Sequence, residues 1–137
     1  MDADTLIRQR YQGHRILLVD DEPINLEVAR SLLENTGLVA DTAEDGVEAV
    51  ERATQTRYAL ILMDVQMPRL DGLQATRQIR ALPAYRDVPI LAMTANAFAE
   101  DKARCLAAGM IDTLIKPFSP TQLFAALIKH LEPHSEL

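Results

Sequence analysis

The chain has 137 residues, of which 48% are hydrophobic and 25% charged. That is the size of one domain with an ordinary globular composition, and it excludes wholesale disorder and collagen-like repetition. Twenty acids against 14 bases give a net charge of −6, which argues against direct nucleic-acid binding, because phosphate contacts need a basic face.

No apolar run approaches the ~20 residues that cross a bilayer. The start, MDADTLIRQRYQG, has no apolar core of a signal peptide. A cytoplasmic domain without membrane contact of its own is expected, which leaves open an anchor in a longer parent protein. Cys105 is the single cysteine and cannot form an internal disulfide; it is expected to pack in the core. His14, His130 and His134 are scattered and are expected on the surface.

In chain order, residues 1–13 read as a tail or linker with some helix. Ile16–Val19 is the first short apolar run. Val28, Ala29, Leu32 and Leu33 then recur at helical spacing until Gly37, which suits a helix stop. A weaker strand is expected around Leu38–Thr42. Val47, Val50 and Ala53 suggest the next helix, Leu60–Met63 the next strand, and Leu73, Thr76 and Ile79 another helix. Ile90–Met93 is a further strand. A stripe of Ala99, Ala103, Leu106 and Ala107 follows, closed by Gly109, and Leu114–Ile115 ends the series of strands. The last helix is marked by Ser119 as N-cap, Pro120 at the first position and Gln122 completing a capping box. Its apolar face is Phe124, Leu127, Ile128 and Leu131. Residues 14–132 form the domain, and 133–137 a polar tail.

The strands are short and apolar without alternation, as expected when both faces of a sheet are covered. Strand and helix alternate five times, which predicts a parallel sheet between helical layers, an α/β three-layer sandwich. Right-handed crossovers bring every strand carboxyl end to one edge, where ligands bind in open α/β folds. The runs end there in Asp20 and Asp21, Asp64, Thr94 and Lys116. Singly, each has a plain explanation as a turn, cap or solvated group. Together, three carboxylates at one edge repel unless a cation lies among them, and hard oxygen ligands suit Mg²⁺.

The segments ILLVDDEPIN, LILMDVQMPRLDG, PILAMTA and LIKPF, in this order and spacing, resemble the landmarks of response-regulator receiver domains. The resemblance spans about residues 14–132. It implies a flavodoxin-like (βα)5 fold with strand order 2-1-3-4-5. It further implies that Asp64 accepts a phosphoryl group from a phosphohistidine on a histidine kinase or histidine-phosphotransfer protein. Asp21 and Asp64 would hold Mg²⁺ directly, Asp20 largely through water, and Gln66 through its backbone carbonyl. Thr94 would hydrogen-bond the phosphoryl group and Lys116 would pair with its charge, beside a cis bond to Pro117. Gln66 and Asn96 occupy positions that tune phosphoryl lifetime. Such a domain is a switch without turnover of its own, monomeric or weakly dimeric. DVQMPRLDGLQATRQIR and MTANAFAEDKARCLAAGM are most similar to receivers of hybrid sensor histidine kinases. The chain would then be an excised or a stand-alone receiver.

One position departs from the family. Thr113 stands where an aromatic residue usually couples the site to the output face, so readout is expected through the Thr94 loop with Phe98 or Phe118. Three rivals are less well supported. A haloacid-dehalogenase-type phosphatase would carry its nucleophile in an early DxD motif, whereas here the acidic pair comes first. A flavodoxin-like cofactor binder would need a phosphate-cradling loop in place of Asp-Asp-Glu-Pro. A receiver that has lost phosphorylation would not keep the full set of site residues.

Overall fold

The computed structural model describes residues 2–65, 71–95 and 99–131. Helix α1 (Ala3–Arg10) leads into β1 (Arg15–Val19), α2 (Pro23–Glu34), β2 (Val39–Ala43), α3 (Gly46–Gln55) and β3 (Leu60–Asp64). Then come α4 (Gly72–Arg80), a 3-10 turn (Pro83–Tyr85), β4 (Ile90–Thr94), α5 (Ala99–Ala108), β5 (Asp112–Ile115) and α6 (Pro120–Leu131). All strand pairs are parallel and the sheet order is β2-β1-β3-β4-β5. This is the expected flavodoxin-like arrangement.

Successive residues of a strand face opposite sides, and the apolar runs divide accordingly. Ile16, Leu18, Leu60, Leu62, Leu91, Met93 and Leu114 join one core with Ile7 of α1, Leu33 of α2 and Leu127 of α6. Leu17, Val19, Ile61, Met63, Ile90 and Ala92 join the other with Ala49 of α3, Ile79 of α4 and Cys105 of α5. Because both faces are buried, the strands carry no polar alternation. Cys105 packs in this second core, as expected.

The helix ends follow their sequence signals. Ser119 and Gln122 close the capping box in both directions, with Gln122 N–H donating to Ser119 Oγ at 3.1 Å and Ser119 N–H to Gln122 Oε1 at 2.8 Å. Asp45 and Asp71 cap α3 and α4 by accepting from the backbone N–H of Glu48 and Gln74. Gly37 and Gly109 have φ of +89° and +112°, the left-handed conformation that ends a helix cheaply only at glycine.

The structure departs from expectation in four places. The stretch 1–13 is more than a tail: it contributes α1, whose Ile7 is fully buried and whose Arg8 Nε donates to the Asn35 carbonyl at the end of α2. On α5, Cys105 and Ala108 face the core, whereas Ala103, Leu106 and Ala107 are exposed. In so alanine-rich a segment, two faces fit helical spacing almost equally well, and the apolar stripe selected the wrong one. On α2, Val28 is exposed, and Leu26 takes its place beside Ala29 and Leu33. His130 is largely buried, and its Nε2 lies 2.8 Å from Asp112 Oδ2 on β5. Burial alone would raise the Asp112 carboxyl pKa, but the hydrogen bonds from His130 and the Thr113 N–H, with the charges of Lys129 and His130, hold it below the usual range. His14 is exposed as expected, and His134 lies outside the described residues.

At the far edge from the strand carboxyl ends, polar side chains tie the connections together. Tyr85 donates its hydroxyl to the Thr56 carbonyl and accepts the Tyr58 N–H, while the Tyr58 hydroxyl donates to Asp41. Burial, reinforced by Asp41, pushes the Tyr58 hydroxyl up to about 12. The Arg80 guanidinium donates to the carbonyls of Tyr85, Val88 and Gly109, satisfying loop carbonyls that would otherwise be costly to bury.

Thr76 on α4 is fully buried, and its hydroxyl has no hydrogen-bond partner among the described residues. A buried donor left unsatisfied costs about 1–3 kcal/mol. Thr76→Val keeps the shape and removes that cost, so it should be neutral or stabilising by up to about 1 kcal/mol in urea unfolding. A loss larger than about 1 kcal/mol would show that the hydroxyl is bonded after all.

Candidate functional site

The strand register sets the site. Val19 pairs with Met63, Asp64 with Met93, and Thr94 with Ile115. Asp20, Asp64, Thr94 and Lys116 therefore stand at or one residue past the last pairs of four neighbouring strands. The backbone ladder continues into this edge: Asp20 N–H donates to the Ala43 carbonyl at 3.1 Å and Lys116 N–H to the Thr94 carbonyl at 2.8 Å.

Asp20 and Asp64 are only 3% and 5% exposed, whereas Asp21 faces solvent. Each of the three offers one carboxylate oxygen within 4.8 Å of the others. Lys116 Nζ lies between the two buried acids, 2.9 Å from Asp20 Oδ2 and 3.2 Å from Asp64 Oδ2. The other oxygen of Asp20 accepts the Glu22 N–H at 2.9 Å, fixing the turn that opens α2. The acidic pair thus precedes a helix N-terminus, where the helix dipole favours negative charge. Pro23 at the first helical position has no N–H to leave unpaired there.

The charge arithmetic is unbalanced. Among the described residues three carboxylates face one ammonium, and two of the carboxylates are almost completely removed from water. Burial alone would lower the Lys116 pKa; the hydrogen bond that Lys116 donates to Asp20 and the charges of Asp64 and Asp20 outweigh it and raise the value. The cluster still holds excess negative charge, and its donors are all carboxylate oxygens, the ligand chemistry of a hard divalent cation such as Mg²⁺.

The expected residues meet at one edge, with one exception: Gln66 lies outside the described residues, as do Asn96 and Phe98. Thr94 is half-buried at the end of β4. The Lys116–Pro117 bond is cis, as the resemblance implies. By sequence alone Asp71-Gly72 suits a tight turn, yet a Cβ on Gly72 would collide with the Asp64 carbonyl oxygen and crowd the Val65 Cα. Its N–H also donates to the Val65 carbonyl at 3.0 Å. Gly72 lets α4 begin directly against the backbone of Asp64, and the Asp-Gly pair LDG was the available signal.

Comparison with known proteins agrees with this geometry. The profile of the response regulator receiver domain matches residues 16–128. The chain belongs to the response regulator receiver family. It is 46% identical over 118 residues to the sensor protein GacS of Pseudomonas syringae pv. syringae, covering 84% of this chain and 13% of that protein. Among solved structures, it resembles the receiver domain of the sensor histidine kinase PA1611 from Pseudomonas aeruginosa PAO1. That match has a TM-score of 0.83, 45% identity, and coverage of 88% of this chain and 99% of the other. The PA1611 receiver is described with a magnesium ion coordinated in its active-site cleft. The chemotaxis protein CheY4 of Vibrio cholerae matches with a TM-score of 0.84 and 31% identity, over 86% of this chain and 98% of the other. The receiver spans about one eighth of the length of the curated sensor kinases it matches. No helix among its described residues is long and apolar enough to cross a membrane.

The raised pKa of Lys116 gives a signed prediction. Its contribution to stability is fully present below the unfolded value of about 10.5 and is lost as pH rises through the higher folded value. At neutral pH, Lys116→Met should destabilise the fold by about 2–4 kcal/mol, because it leaves two buried carboxylates facing each other. The difference from wild type in urea midpoint should persist up to about pH 10.5 and shrink above it. A difference that stays constant through that range would contradict the pairing.

Proposed function

We propose that this receiver is a phosphorelay switch. Asp64 takes a phosphoryl group from a phosphohistidine of a histidine kinase or histidine-phosphotransfer protein, and the new state is passed to a partner or attached domain. The observation that carries this reading is the cluster of Asp20, Asp21 and Asp64 oxygens within 4.8 Å, locked by Lys116. In the transfer, an Asp64 carboxylate oxygen forms a bond to phosphorus as the phosphorus–nitrogen bond to the donor imidazole breaks, and the released imidazole takes a proton.

Asp20, Asp21, Asp64 and the Gln66 carbonyl would hold Mg²⁺, which when bound supplies charge neutralisation between carboxylates and phosphoryl oxygens. The chain's own groups do the rest. Lys116 turns its ammonium from the carboxylates toward the phosphoryl oxygens, and Thr94 donates its hydroxyl from the neighbouring strand end. Asp20, held by Glu22 N–H, keeps the acidic edge in place. The receiver is read as a switch without turnover of its own, and a steady-state assay on phosphate monoesters should show no appreciable activity.

The surface beside the cluster supports a protein donor. Ile24 and Val28, one turn apart on α2, are 76% and 58% exposed. Val28 lines a cleft of about 530 Å³ whose walls include Leu32, Phe118 and Pro120 beside Asp20 and Lys116. Exposed aliphatic residues at helical spacing beside an apolar cleft suit a helix carrying the donor histidine.

With acetyl phosphate and Mg²⁺, the intact mass should rise by one phosphoryl group, and Asp64→Asn should abolish the rise. Labelling that persists in Asp64→Asn, or fails without effect of Mg²⁺, sinks the proposal. Ile24→Asp should slow transfer from a phosphorylated histidine-phosphotransfer protein about tenfold, the effect of losing ~1.4 kcal/mol of docking. It should leave acetyl phosphate labelling unchanged. Equal slowing with both donors would place Ile24 in the chemistry instead of the docking.

A further inference from the structure

Helix α1 lies outside the shared receiver fold: the family profile begins at residue 16, and CheY4 is covered over 98% of its length by 86% of this chain. Yet α1 is not an appendage. Ile7 is fully buried and Tyr11 is 5% exposed, both within the core that lies between α2, α6 and the sheet. Arg8 Nε donates to the Asn35 carbonyl at 3.2 Å, and Gly13 N–H donates to the Gly37 carbonyl at 2.8 Å. Tyr11 meets His14 edge to face, with ring centroids 5.4 Å apart.

The same core reaches the acceptor site. Phe118 packs against the cluster that contains Ile7, Tyr11, Leu123 and Leu127, and Phe118 stands two residues after Lys116. Lys116 is held by Asp20 and Asp64. A phosphoryl group on Asp64 competes for that ammonium, so the Lys116–Ser119 turn must adjust. Ser119 and Gln122 cap α6, and α6 is the helix on which α1 packs.

We infer that α1 is an output element: it reports the state of Asp64, through Lys116, Phe118 and α6, to the polypeptide at the amino end of the receiver. The inference rests on the phosphoacceptor reading above and adds the route by which that state leaves the domain. The connection runs from Lys116 along the chain to Phe118, through the core that Phe118 shares with Ile7, Tyr11, Leu123 and Leu127, to the α1–α6 contact. A coupling of this kind is reciprocal: whatever the occupied site does to α1, a change at α1 must do to the site.

Amide hydrogen exchange of the whole chain, with and without Mg²⁺ and beryllofluoride as the phosphoryl mimic, tests this. The α1 amides, including Leu6 and Tyr11, whose N–H groups donate to the carbonyls of Asp2 and Ile7, should change exchange rate by at least about fivefold. Ile7→Ala should then shift the affinity for the mimic about as strongly. The shift should be toward tighter binding if the mimic loosens α1, and toward weaker binding if it protects α1. Arg8→Ala, which removes only the bond to the Asn35 carbonyl, is the milder variant and should shift affinity in the same sense. Unchanged α1 exchange alongside a clear response around Asp64 and Lys116 overturns the inference and leaves the acceptor reading intact. No response anywhere in the chain overturns both.

Discussion

The two ion pairs made by Lys116 organise the acceptor edge of this receiver. Asp20 and Asp64 are nearly fully withdrawn from water, and ionised carboxylates tolerate such burial only when paired and hydrogen-bonded. Lys116 supplies the pairing, with Nζ at 2.9 and 3.2 Å from their oxygens, and the Glu22 N–H supplies a further bond to Asp20. Among the described residues one ammonium faces three acids, which makes the site receptive to added positive charge. In the proposed switch, the lysine that holds the resting state is also the group that the phosphoryl anion recruits. Stability and switching draw on a single side chain.

That pairing depends on the sheet. Four strands deliver their last residues to one edge in a register fixed by apolar packing on both faces, where a slip by one residue would exchange the two cores. The glycine at 72 permits α4 to start against the Asp64 carbonyl. At the opposite edge, Arg80 and the Tyr58–Tyr85 pair bind loop carbonyls and a backbone amide. The chemistry sits on strand ends, while the connections at the other end are held by polar side chains that have no part in it.

Much of this was legible in the residues because it is local. Runs such as Leu60–Met63 suit strands covered on both faces; periodicity alone does not separate them from buried helix segments, and the alternation with helical stretches favours strands. Ser119, Pro120 and Gln122 announce a helix start by their own chemistry. The acids, Thr94 and Lys116 could be placed together because parallel connectivity dictates where strand ends go. What stayed hidden depends on distant partners. His130 is buried through Asp112, 18 positions away, and no local signal marks such a pair. The face of α5 could not be chosen by spacing, since alanines occur on every side and the decision rests on how Cys105 and Met110 meet the sheet. Ile7 and Tyr11 belong to residues 1–13, which read as a tail or linker with some helix, and only the space between α2 and α6 gives them a place.

That space also explains an apparent waste of apolar surface. The groove between α2 and α6 is closed by α1 at the end where Asn35 caps α2. Next to Asp20 and Lys116 it remains open, with Val28 at its wall and Ile24, one turn earlier on α2, also exposed. If stability alone shaped this surface, polar residues would serve better at both positions, because exposed aliphatic side chains contribute nothing to the fold and invite association. One groove is thus treated in two ways along its length: filled by α1 at one end, and left open beside Asp20 and Lys116 at the other. In the proposed switch, input and output share the same pair of helices without competing for the same residues.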